Sequence, residues 1–152
     1  MENFPSNITV IPKKKIMEHW IKELLSNLDS SVDEKTKQNI MEKCGPKCPF
    51  SHMPNDELMK VRNDSKTEED FLKKLSEKWH LKREGEEYFV VFDKCYCPLV
   101  LNDLENSSKT MCYCTLGSLK HKFKISLGRE VEVEMLNTVL AGDDECKFKI
   151  KV

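Results

Sequence analysis

Six of the seven cysteines fall in three close pairs, Cys44/Cys48, Cys95/Cys97 and Cys112/Cys114, while Cys146 stands alone near the end of the chain. The thiolate form of cysteine is both a nucleophile and a soft-metal ligand. In an extended segment, residues two apart point the same way, so each Cys-Tyr-Cys tripeptide can present two sulfurs to one side. A soft divalent metal takes several thiolates at ~2.3 Å in tetrahedral geometry. Paired sulfurs reaching in from separate segments can supply that set. The Cys112/Cys114 pair also precedes a predicted helix, whose positive end lowers a nearby thiol pKa. Metal binding needs that deprotonated form.

Other chemistries compete for the same residues. Buried free cysteine often serves as a small hydrophobe. An iron–sulfur cluster also takes cysteine thiolates. A C-x-C dithiol can form a strained, easily reduced disulfide. No C-x2-C pair of the zinc-ribbon kind occurs, and Gly45 and Pro46 interrupt Cys44-x3-Cys48. Of the four histidines, His19, His80 and His121 fall in or at the ends of predicted helices. His52 lies in the Cys48–Pro54 loop, nearest the thiols in sequence.

Other catalytic signatures are missing: no P-loop, no G-x-G-x-x-G after a strand, no H-E-x-x-H and no G-x-S-x-G. The acidic pairs Glu68/Glu69, Glu86/Glu87 and Asp143/Asp144 fall in caps, strand edges or turns and read as solvated. The formal net charge is −1 with both signs mixed along 152 residues, which gives no electrostatic ground for nucleic acid or an anionic membrane as partner. No secretory leader is visible at the start, and no stretch approaches the ~20 apolar residues of a membrane span. A cytoplasmic location, where thiols stay reduced, is the expectation. The odd cysteine count also argues against a closed disulfide framework.

The elements that must position the cysteines follow from periodicity. Ile16, Trp20, Leu24 and Leu28, with Met17, Ile21 and Leu25 beside them, predict an amphipathic helix over 12–28. Ser31-Val32-Asp33-Glu34 has the form of a capping box for a second helix, which Gly45 and Pro46 stop near Cys44. After a loop-rich stretch with a short helical turn around Asp56–Val61, a third helix starts near Thr67. Its acidic first turn suits the helix N-terminus, and Phe71, Leu72, Leu75 and Trp79 form its inward stripe.

The period then changes. Glu87–Asp93 reads as a strand, residues 94–111 as a long connection, and Thr115–Leu127 as a helix stopped by Gly128. Arg129–Leu140 and Glu145–Val152 read as two strands of a hairpin turned by Ala141-Gly142-Asp143-Asp144. On the last strand Cys146, Phe148 and Ile150 alternate with lysines, which places Cys146 on the inward face. The expected fold is α+β and one domain, mainly helical over 1–82, with a C-terminal antiparallel sheet and one long helix over 83–152.

The final forty residues carry a further pattern: a cysteine at a helix start, Leu127-Gly128-Arg129-Glu130-Val131, a Glu-bearing strand, then Gly142-Asp143-Asp144-Glu145-Cys146-Lys147-Phe148. This order resembles the C-terminal half of 4-vinyl reductase domains and the sensory domains of phenol-responsive bacterial activators. It is similar, more closely still, to a group of cysteine-rich bacterial proteins sharing "CYC…CYC" and "GDxxCxF". The resemblance implies helices packed on an antiparallel sheet, frequent dimerisation, a small-molecule pocket and a zinc site beside it. Carried over residue by residue, it implies Cys112, Glu134 and Cys146 as zinc ligands. The remaining family cysteine falls near Asn137, so Cys114 or one of Cys95 and Cys97 would supply that sulfur.

Together these features lead to a non-catalytic, metal-binding domain that senses or binds an apolar small molecule and forms a homodimer. Its candidate ligands are Cys44, Cys48, Cys95, Cys97, Cys112, Cys114, Cys146 and Glu134. Zinc is the expected ion, with an iron–sulfur cluster as the alternative. Val90, Phe92, Phe123 and Val133 are the expected lining of the apolar pocket. The rival reading is a redox enzyme or dithiol protein built on the same cysteine pairs.

Overall fold

The structure, a computed structural model, describes residues 11–48 and 53–152. Among these residues five α-helices pack with a four-stranded antiparallel sheet, an α+β fold. His52 lies outside the described residues. Helix α1 (Lys13–Ser31) follows from the i, i+4 apolar spacing, but the chain covers only one side of it. Leu25 is buried, and Ile21 and Leu28 pack half-buried beside it. Ile16, Met17, Trp20 and Leu24 face outward.

Helix α2 (Glu34–Cys44) is capped differently from the expected box. Ser31 is the last residue of α1, and the Asp33 carboxylate accepts from the Thr36 amide at 2.8 Å. A short acidic side chain caps as well as serine does. Helices α3 (Asn55–Asn63) and α4 (Glu68–Lys78) come next. The Thr67 hydroxyl accepts from the Asp70 amide at 3.0 Å, and Phe71, Leu72 and Leu75 are buried as their spacing predicts.

Strand order in the sheet is β1-β2-β4-β3. Strand β1 (Leu81–Glu84) escapes the sequence pattern because only Leu81 is buried; Lys82, Arg83 and Glu84 are exposed. Charged residues suit an edge strand, since they discourage pairing with other chains. Gly85, at φ 65°, turns the chain into β2 (Glu87–Phe92). Helix α5 (Cys112–Leu127) leads to the other edge strand, β3 (Glu132–Asn137). The central pair is β2 and β4 (Cys146–Lys151), with Val90 opposite Phe148 and Phe92 opposite Cys146.

The long strand expected over Arg129–Leu140 is shorter at both ends. A bulge lies between Met135 and Asn137, and Val139–Ala141 coil into a 3₁₀ turn. Two local bonds hold that turn: the Thr138 hydroxyl accepts from the Ala141 amide at 3.2 Å, and the Asp143 carboxylate accepts from the Thr138 amide at 2.9 Å. Side-chain acceptors of this kind compete locally with a strand ladder.

Two apolar clusters result. The larger joins α3, α4, α5 and the sheet around Phe71, Phe123 and Phe148. The smaller joins α1, α2 and the 94–111 connection around Leu25, Met41, Val100 and Met111. Asp29 ties the second cluster together, accepting from the Ser108 and Thr110 hydroxyls at 2.6 Å each and from Lys37 at 3.3 Å. Burial works against its charge, but these three donors outweigh that and hold the carboxyl below its ordinary value.

Candidate functional site

A cavity of about 110 Å³ opens between the two clusters, and six of the seven cysteines line it. They come from four segments, and each segment has a physical reason to be there. Strand β2 ends at Phe92, which pairs with Cys146 on β4, so the chain leaves the sheet beside Cys146 and reaches Cys95 and Cys97 within five residues. Cys112 and Cys114 occupy the first turn of α5, directly after a 3₁₀ turn over Lys109–Met111 whose Thr110 is fastened to Asp29.

Cys48 arrives because α2 lies almost in contact with α5. A Cβ on Gly117 would sit 2.0 Å from the Glu42 carbonyl oxygen, and one on Gly45 would sit 2.2 Å from that of Cys114. Only two glycines let these backbones approach so closely. Gly117 lies within a stretch that reads as ordinary helix, so its packing role has no signal in periodicity. The rest of the cavity wall is mostly apolar and aromatic, with Trp79, Phe92, Tyr96 and Phe148 contributing, and Lys94, Thr115, Ser118 and Lys122 add its polar positions. Tyr96 is held by a hydrogen bond from its hydroxyl to Asp93.

Several placements differ from the sequence-based expectations. Glu134 does not reach the cavity: Val133 points into the core, so its neighbour faces outward, where Glu134 pairs with Lys151 at 3.5 Å. Strand alternation thus removes it from the ligand set. Cys44 is exposed and donates its thiol to the Ile40 carbonyl at 3.5 Å, outside the cavity wall. Helix α5 starts three residues earlier than expected, so Cys112-Tyr113-Cys114 is helical and not extended. Of the four expected apolar lining residues, only Phe92 borders the cavity; Val90, Phe123 and Val133 are core.

Thiol electrostatics also depart from the helix-dipole expectation. Burial pushes the Cys112 thiol up to about 12, reinforced by neighbouring Cys146, Cys95 and Cys97 and opposed by a hydrogen bond with Thr138. Burial likewise pushes Cys114 up to about 12, with Cys48, Cys97 and Cys44 adding to it. Cys97 and Cys146 are raised too, chiefly by burial. The Val139 amide donates to the Cys146 sulfur at 3.4 Å and works in the opposite direction. All seven cysteines are free thiols.

The donor chemistry suits a soft ion. Among the described residues, however, no three His, Cys, Asp or Glu side chains stand in a constellation already set to hold one. No helix among them is long and apolar enough to cross a membrane.

A family model described as a family of unknown function (DUF6144) matches residues 8–152. No curated protein matches the sequence. Among solved structures, a trafficking protein particle complex subunit 3 from Naegleria fowleri, covalently bound to palmitic acid, is similar in fold, with a TM-score of 0.56. The two share 17% identity over 91% of this chain and 93% of that one. At such identity the likeness shows the fold alone.

Proposed function

The chain belongs to the DUF6144 family, and we propose that it is a non-catalytic cytoplasmic binding domain whose gathered thiols hold a soft metal ion beside a small apolar molecule. One observation carries this reading: six cysteines from four separate segments line a single cavity. Cys95, Cys97, Cys112 and Cys146 are the residues that would hold the ion, because all four line the cavity and Cys146 lies opposite Phe92, where the chain leaves β2 for Cys95 and Cys97. Cys114 and Cys48 line the same cavity. Zinc fits first, as a d¹⁰ ion that accepts an all-sulfur set. When bound, such an ion supplies a structural cross-link between the 94–111 connection, the start of α5 and strand β4.

Elemental analysis of full-length protein purified without air tests this. The expected result is about one zinc per chain, as for a single tetrahedral site. Cys112→Ser and Cys146→Ser should lose the metal, whereas Cys44→Ser should keep it. Unchanged metal in the first two variants overturns the assignment. Brown protein points instead to an iron–sulfur cluster on the same thiols.

A second reading has its own support. The trafficking subunit of similar fold is covalently bound to palmitic acid, and in this chain buried thiols border an apolar cavity. One of them would then carry an acyl group as a thioester, formed by exchange with an acyl thioester donor whose own thiol leaves and takes up the cysteine's proton. Intact mass before and after hydroxylamine separates the two readings, since only a thioester is released.

The reading includes assembly as a homodimer through α1. Ile16, Met17, Trp20 and Leu24 form an exposed arc on that helix. Antiparallel pairing with a second copy would set Ile16 against Leu24 and Trp20 against itself. It would also set Lys13, Lys14 and Lys15 opposite residues 25–27 of the partner's helix.

A further inference from the structure

Lys122 is 7% exposed, on the buried side of α5, and borders the thiol-lined cavity. Its ammonium donates to the Met53 carbonyl at 2.7 Å and weakly to Asn55 Oδ1 at 3.4 Å. Both acceptors are neutral. No carboxylate among the described residues lies within ion-pair distance of it, although thirteen such pairs occur elsewhere. A buried charge without a counter-charge is costly, and proteins normally pair it.

The remaining cavity wall has the same bias. Lys94 lines it beside the Tyr96 ring, and no aspartate or glutamate does. The indole Nε1–H of Trp79, another lining residue, is buried with no acceptor among the described residues. The first turn of α5, the positive end of a 16-residue helix, also faces the cavity. The described wall thus carries two lysines and a buried indole N–H but no carboxylate, its acids being the six thiols.

We infer that the apolar molecule taken by this cavity is an acid, a small hydrophobic carboxylate whose charge is met by Lys122. The inference rests on the apolar-ligand half of the reading above and is tested without the metal, whose proposed ligands line the same cavity. The cavity is on the scale of the ~150 Å³ cavities that accept benzene, which limits the buried part to a single ring or a short branched chain. A neutral analogue of the same shape would fill the space and leave the ammonium unpaired.

Calorimetry on metal-free full-length protein tests this with phenylacetate and its neutral counterpart 2-phenylethanol. The expected result is that phenylacetate binds at least ~10-fold tighter, and that Lys122→Gln brings the ratio close to one. Glutamine keeps a donor for the Met53 carbonyl while removing the charge. Lys122→Arg should retain the preference. Equal affinities in the wild type, or a preference untouched in folded Lys122→Gln, overturn the inference. Failure of both probes to bind the wild type overturns it together with the apolar-ligand reading. The metal assignment stands or falls separately on elemental analysis.

Discussion

The Cys112 thiol occupies the first residue of α5, where a helix dipole favours the thiolate, yet its pKa is pushed up to about 12. Desolvation and three neighbouring thiols outweigh the dipole, whose effect on a charge is typically 0.3–1 kcal/mol, up to ~2 in partly buried geometries. Linkage then fixes a sign. The ordinary thiol value is 9.0, so below it both folded and unfolded chains are protonated and Cys112 and Cys114 contribute their full stabilisation. Between that value and about 12 only the unfolded chain ionises, and stability is lost as pH rises. Metal-free protein should therefore show a flat denaturation midpoint through neutral pH and a falling one above pH ~9. The double variant Cys112→Ala, Cys114→Ala should flatten that fall. An alkaline slope unchanged in the double variant would place its origin in other groups.

At the scale of elements, the site depends on how closely α2 approaches α5. Gly117 meets the Glu42 backbone where any side chain would collide, and Gly45 meets Cys114 and Ser118 in the same way. Gly117→Ala would gain helix propensity of ~1 kcal/mol in isolation. The clash is with backbone, which cannot swing aside, so overpacking dominates at about 3 kcal/mol of net destabilisation. Thermal unfolding should drop by roughly 6–12 °C for a chain of this size. Cys48 should also become more reactive towards a thiol reagent as the helices separate. A stabilised Gly117→Ala protein would contradict the close packing. The contrast with Gly128 is instructive: it ends α5 at φ 70°, and a Cβ there would meet nothing within 4 Å, so its role is readable from sequence as a helix stop.

For the whole molecule, the outward arc of α1 is an apolar face that the described residues leave exposed. Trp20 is 62% exposed, and with Ile16, Met17 and Leu24 it offers on the order of 500 Å² of apolar surface, at the upper end of what monomers usually show in one patch. A standard interface takes ~800 Å² from each partner, so flanking residues would complete it. Light scattering should report twice the chain mass for the wild type and a monomer for Trp20→Glu, with the helical signal intact. A monomeric wild type would leave that arc to some other partner.

The sequence by itself determined the helices, the inner strands and the α+β class, because these rest on local periodicity and on caps and stops a few residues long. It also singled out the cysteines and put Cys146 on the inner side of its strand by alternation. Tertiary structure alone decided which thiols share a wall. Glu134 and Cys44 have suitable chemistry but point away, while Cys48 is brought in by two glycines whose importance lies in another helix's backbone. It also decided the ionisation of the thiols, since desolvation depends on what the rest of the chain stacks around a sulfur. Likewise, Lys122 reads as one more surface lysine until the fold buries it on the cavity wall with neutral oxygens as its hydrogen-bond acceptors.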